Sequence, residues 1–140
     1  MKALKKTMLG AAALAAIATM AMASPAAAQF YAYPHLTNGS ADDVTITGVS
    51  WSGSYIQIPT PVPSGQTKSG TYHTVLPYGS GGVSFTANIT TPGRSGSCYF
   101  TFNVDNGDGT IYPVGHVKSG DANCDSYYPG YGEDVYFSID

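Results

Sequence analysis

The sequence predicts an all-β fold, an antiparallel two-layer sandwich of seven or eight short strands closed by one disulfide. Three observations carry this expectation. Beyond residue 28, hydrophobic residues alternate with period two and show no 3.6-residue helical period. Clusters of Gly, Pro, Asn, Asp and Ser punctuate the alternating runs about every 8 to 12 residues. Two cysteines, Cys98 and Cys124, stand in the aromatic-rich second half.

The chain opens MKALKKTMLGAAALAAIATMAMASPAAAQ, in which Lys2, Lys5 and Lys6 precede an uncharged apolar run. That run is shorter than the ~20 residues a bilayer span needs, and small residues Ala26, Ala27 and Ala28 end it before Gln29. Residues 1–28 therefore read as a secretory signal peptide, and residues 29–140 as one mature domain with no membrane span, secreted or periplasmic in a bacterium. Without the leader, Lys68, Arg94 and Lys118 face nine acids, a net charge of −6. A chain so poor in bases lacks the cationic footprint that nucleic acid or an anionic membrane surface requires.

The alternating segments, in order, are 44–51, 55–58, 71–76, 83–90, 98–104, 110–118 and 134–139. Between the second and third lies IPTPVPSGQT, with Pro59, Pro61 and Pro63 at alternate positions. Proline has no N–H for a ladder, so this stretch is expected as a stiff exposed loop or edge strand. In GVSFTANIT the inward set is Val83, Phe85, Ala87 and Ile89. In CYFTFNV it is Cys98, Phe100, Phe102 and Val104, and in DVYFSID it is Val135, Phe137 and Ile139. Each strand thus has one apolar face to bury, which a sandwich of immunoglobulin-like type does with few constraints. A small closed barrel is the alternative.

In an exported chain Cys98 and Cys124 are expected to pair. A hairpin joining 98–104 to 110–117 would set Cys98 opposite His116 or Val117. A second simple hairpin would then leave Cys124 two strands away, about 9–10 Å at ~4.8 Å per strand, beyond the ~7 Å a disulfide spans. Residues 119–128 are therefore expected to leave that sheet, either crossing its end or joining the opposite layer, with the bridge pinning the crossing.

The stretch VDNGDGTIYP resembles a cation loop at first sight. Counting from Asp105, however, Gly107 and Gly109 fill positions where an EF-hand needs oxygen ligands, and His116 fills the place of its glutamate. Asn-Gly and Asp-Gly are the pairs of hairpin turns, so a turn is expected, leaving only a weak site from Asp105 and Asp108 with Asp121 or Asp125. No Gly-x-Ser-x-Gly elbow is present, and His35, His73 and His116 share no metal-ligand spacing. Glu133 and Asp134 are adjacent, so on a strand they point to opposite faces and cannot flank one glycosidic bond. No motif calls for a cofactor, and catalysis is not expected.

DSYYPGYGEDVYF gathers Tyr127, Tyr128, Tyr131 and Tyr136 about Pro129-Gly130, and the turn places Tyr127, Tyr128 and Tyr131 in or beside the loop. A tyrosine offers a flat apolar face and a hydroxyl, suited to a sugar ring or a protein surface. These three residues form the expected binding site of an adhesion or binding module for glycan or protein. Trp51 is expected in the core. Two alternatives stand beside this reading: an inhibitor of a secreted protease or lysozyme presenting the Pro-rich loop from Pro59 to Gln66, and a small secreted hydrolase.

Overall fold

The computed structural model describes residues 29–75, 81–89, 95–105 and 107–140. The leader-like segment 1–28, the expected strand ends Leu76 and Thr90, and the turn residue Asn106 lie outside these residues. The described residues form ten strands and no helix, arranged as two sheets in a sandwich and not as a closed barrel. Two or three more strands than expected are therefore present, and three of the ten fall outside the expected segments.

One sheet contains β1 (Gln29–Asn38), β3 (Tyr55–Gln57), β5 (Thr71–Val75), β9 (Cys124–Tyr127) and β10 (Asp134–Ile139) in the order β3-β5-β1-β10-β9. The short β4 (Thr67–Ser69) pairs with β1 and completes its six strands. The other contains β2 (Val44–Trp51), β6 (Gly81–Ile89), β7 (Gly96–Val104) and β8 (Ile111–Gly120) in the order β2-β6-β7-β8. One pairing departs from the antiparallel rule: β1 runs parallel to β10, with His35 opposite Tyr136. The two strands come from opposite ends of the domain, so no tight turn constrains their relative direction.

β1 and β4 carry weak strand signals. β1 contains Pro34 and buries the small or modest residues Ala32, Pro34 and Leu36 while Tyr31 and Tyr33 face outward, the inverse of the usual pattern. Pro34 sits where β1 changes partner, from β5 at Ala32 to β4 at His35. Its carbonyl accepts from the Gly70 N–H at 2.7 Å, but proline has no N–H to return the second bond of that pair, and the ladder breaks there between β4 and β5.

The three inward sets meet between the layers. Phe137 from β10 packs against Phe100, Phe85 and Phe102 at ring-centroid distances of 5.0, 5.4 and 6.0 Å. All four rings are buried. Tyr72 adds an edge-to-face contact on Phe102 at 5.6 Å and donates its hydroxyl to the Ser52 carbonyl. Burial pushes the Tyr72 phenol above the ordinary tyrosine range.

The expected disulfide crossing is present. Cys98 lies opposite Val117, β9 pairs with β10 in the other layer, and the Cys98–Cys124 bridge joins the sheets with Cα atoms 5.6 Å apart. VDNGDGTIYP is the β7–β8 connection. Asp105 Oδ1 accepts from the Gly107 N–H at 2.7 Å, Asp108 Oδ1 accepts from the Thr110 N–H at 2.8 Å, and Gly109 takes φ +77°. Both carboxylates are thus used to close the turn.

The proline stretch is pinned down at its centre. Val62 is buried and exchanges two backbone hydrogen bonds with Val44, at 2.8 and 2.9 Å. The Asn38 carboxamide also donates to the Val62 carbonyl at 2.8 Å.

Candidate functional site

The outer face of the six-stranded sheet follows from strand alternation. Residues whose neighbours enter the core must point outward, and the pairing registers line them up across strands. One row runs Ser69, His35, Tyr136, Tyr127 across β4, β1, β10 and β9. The adjacent row brings Tyr33 opposite Asp134. A further row runs Tyr55, His73, Tyr31 across β3, β5 and β1, with the Tyr31 ring stacked on His73 at 4.4 Å.

At the β9–β10 end the row meets the tyrosine loop. Tyr127, Pro129, Tyr131, Asp134 and Tyr136 line an open groove of about 580 Å3. Tyr131 is 77% exposed, Tyr127 61% and Tyr136 41%. The Tyr127 and Tyr136 rings lie 6.2 Å apart, and Tyr136 stacks on His35 at 4.9 Å, nearly parallel. The result is a continuous aromatic stripe with a carboxylate beside it.

The three tyrosines expected to form the site divide between two tasks. Tyr127 ends a strand with its side chain outward, so Tyr128 turns inward. There Tyr128 packs against the core, and its hydroxyl donates to the Gly132 carbonyl at 3.2 Å, closing the loop on itself. Tyr127 and Tyr131 remain as ligand-accessible rings. Tyr136, a member of the same tyrosine cluster that the sequence left out of the expected site, joins them from β10.

Sequence reasoning also missed the polar line behind the groove. His35 Nε2 lies 2.6 Å from Asp134 Oδ1, and its Nδ1 lies 2.6 Å from Ser69 Oγ. A carboxylate only accepts, so in the neutral ring the proton sits on Nε2 and the Ser69 hydroxyl donates to Nδ1. His35 is thereby fixed in orientation from two strands, and it holds both the Asp134 carboxylate and the Tyr136 ring beneath the groove. The other Asp134 oxygen has no hydrogen-bond partner among the described residues.

Trp51, expected in the core, is half exposed at 50% on the opposite sheet. Its strand carries a register shift between Thr47 and Ser50 and ends at Trp51, so the ring sits at the edge of the layer, where nothing covers it fully.

No protein-family model matches the chain, and no curated protein matches it. Function therefore has to be argued from the site itself. Among the described residues no group of three or more His, Cys, Asp or Glu side chains is arranged to hold a metal ion. No helix among them is long and apolar enough to cross a membrane.

Proposed function

We propose that this protein is a secreted or periplasmic binding or adhesion module, non-catalytic, that recognises glycan through the groove of Tyr127, Tyr131 and Tyr136. The observation that carries the reading is the meeting of three exposed tyrosine rings with the Asp134 carboxylate in one open groove. A sugar presents apolar C–H faces and a rim of hydroxyl donors. Flat rings take the first and a fixed carboxylate accepts from the second. A groove this open favours an extended chain of rings over a deeply inserted protein hot spot, which needs an enclosed, desolvated pocket. The disulfide and the leader-like N-terminus support an oxidising compartment.

Combined Tyr127→Ala and Tyr131→Ala substitution tests the reading by retention on immobilised polysaccharides in affinity electrophoresis. Loss of two stacking rings should weaken retention by about tenfold or more. Both side chains are mainly exposed, so Tm should stay within a few degrees. Unchanged retention of the variant rejects the groove.

One observation favours a second reading, a small secreted hydrolase. Ser69, His35 and Asp134 form a hydroxyl–imidazole–carboxylate line with both hydrogen bonds at 2.6 Å, the arrangement that activates a serine nucleophile. A panel of nitrophenyl esters separates the two readings. Turnover that vanishes in Ser69→Ala and survives in Tyr131→Ala establishes the hydrolase, whereas absence of turnover retires it.

A further inference from the structure

The outer face of the six-stranded sheet carries a second aromatic patch, set diagonally across from the tyrosine groove. Tyr55, His73 and Tyr31 share one row across β3, β5 and β1, and His35, Tyr136 and Tyr127 share another across β1, β10 and β9. Tyr33 joins the two. It stands between Tyr31 and His35 on the outward side of β1, opposite Asp134, which also lines the groove.

The two tyrosines of the patch are held differently. The Tyr55 hydroxyl donates to Gln57 Oε1 at 3.2 Å on the same strand, so the ring leans along β3 and turns a flat face to solvent, 49% exposed. Tyr31 is instead braced by the His73 imidazole, nearly parallel at 4.4 Å. Its hydroxyl has no hydrogen-bond partner among the described residues. The patch thus sets an apolar ring face beside a hydroxyl able to donate and accept. No base accompanies it. Lys68 is the only Lys or Arg on the six strands, and it pairs with inward-facing Leu36 and donates to the Pro61 carbonyl at 3.1 Å. Asp134 and Asp125 stand in the outward rows, so the face is acidic.

We propose that Tyr55 and Tyr31 form a second subsite for the polysaccharide that occupies the groove, and that this ligand is a straight, neutral chain lying across β10, β1, β5 and β3. The inference rests on the groove reading and names its ligand class. Strands ~4.8 Å apart and residues ~3.4 Å apart put Tyr55 roughly 20 Å from Tyr136, the length of about four linked pyranose rings. A β-1,4-linked chain is a flat ribbon with apolar ring faces, so it reaches both patches without leaving the sheet. An α-1,4-linked chain coils away from a flat face. An anionic chain meets carboxylates and no compensating base. Once the groove is filled, the second contact is intramolecular, and affinity rises with chain length.

Calorimetric titration with oligosaccharide ladders tests the subsite. The probes are dimers to hexamers of the cello-, manno- and chito-oligosaccharide series, with malto-oligosaccharides and a galacturonate hexamer as controls. For at least one β-linked series the hexamer should bind about tenfold more tightly than the trimer, which reaches the groove alone. Tyr31→Ala/Tyr55→Ala should leave the trimer Kd in place and erase the gain of the hexamer. Trimer binding then shows that the variant is folded. Tyr127→Ala/Tyr131→Ala should weaken both probes. Maltohexaose should gain nothing over maltotriose, and the galacturonate hexamer should not bind.

Equal affinity for trimer and hexamer in the wild type would overturn the second subsite and leave the groove standing. A hexamer gain that survives Tyr31→Ala/Tyr55→Ala would overturn it as well. So would an equal loss for trimer and hexamer in that variant, which would make the pair a support of the groove. Binding of the galacturonate hexamer, or a gain with maltohexaose, would reject the ligand class. A dimer in sedimentation that Tyr31→Ala/Tyr55→Ala dissolves would assign the patch to a second copy of the chain and reject the saccharide. If no β-linked oligomer binds up to about 10 mM, the groove reading and this inference fall together.

Discussion

At the scale of single residues, two polar side chains do structural work that their types alone do not announce. Asn38 is fully buried, yet every polar atom of its side chain is used: Nδ2 donates to the Asp42 carbonyl at 2.6 Å and to Val62, and Oδ1 accepts from the Ser40 N–H at 3.0 Å and the Ser40 hydroxyl at 2.7 Å. It ties the end of β1 to the proline stretch. Asn38→Ala removes these four hydrogen bonds and leaves the Ser40 N–H without its acceptor, while the Val62 and Asp42 carbonyls keep the Val44 N–H and the Ser40 hydroxyl; it should cost about 1–3 kcal/mol in urea unfolding, with m unchanged. A loss below about 0.5 kcal/mol would show that water replaces the carboxamide there. Asp108 acts at the β7–β8 turn, where the Thr110 N–H holds its carboxyl below the ordinary carboxylate range. A group whose folded pKa is lowered contributes stability above its unfolded pKa and loses it as pH falls through the folded value. Asp108→Asn should therefore lower Tm slightly at neutral pH, and the gap should close on acidification below about 4. A gap constant from pH 7 to pH 2 would show that charge at this position is irrelevant.

At the scale of elements, the strongly alternating strands were legible in the sequence, because a half-buried strand must place apolar residues at every second position. The bounds of β2 and β10 follow from that rule alone, and the disulfide crossing followed from the sheet spacing. β1, β4 and β9 were not legible. β1 buries its small residues and exposes its aromatic ones, β4 spans three residues, and β9 carries no alternating apolar set. The His35 line was hidden for a related reason. It joins residues from β1, β4 and β10, and no local pattern announces which strands from opposite ends of a domain will pair, or in what register. Tyr127 and Tyr131 were visible through composition, whereas the inward turn of Tyr128 depended on where β9 ends. The bridge that holds β9 gives a prediction at this scale. Cys98→Ser/Cys124→Ser opens a loop whose ends are 26 residues apart and should lower stability by about 3 kcal/mol. Hydrogen exchange should accelerate first at residues 124–127, since β9 pairs only with β10. Uniform acceleration across both sheets would instead show that the bridge acts on the unfolded chain alone.

At the scale of the whole molecule, the two faces offer different surfaces, one a stripe of tyrosines with a carboxylate and the other rows of neutral Ser, Thr and Asn side chains, and a single aromatic core joins them. Phe137 is the only phenylalanine the six-stranded sheet contributes to the four-ring cluster, and it touches all three rings from the four-stranded sheet. Phe137→Ala removes that shared contact and leaves a cavity between layers that the bridge holds at fixed spacing, so little collapse can fill it. The expected cost is about 3–5 kcal/mol, a large part of the 5–15 kcal/mol typical of a domain. Because the lost contact belongs to both layers, both should register the loss together. Trp51 emission reports the four-stranded sheet, and tyrosine near-ultraviolet circular dichroism, read in a background with Tyr99 and Tyr112 of the four-stranded sheet replaced by phenylalanine, reports the neighbouring Tyr127 and Tyr136 rings of the other. In wild type and variant alike the two probes should trace one coincident urea transition, shifted to lower midpoint in the variant. A variant whose tyrosine signal melts before its tryptophan signal would show that the layers fold as separable units, held by the disulfide more than by the core.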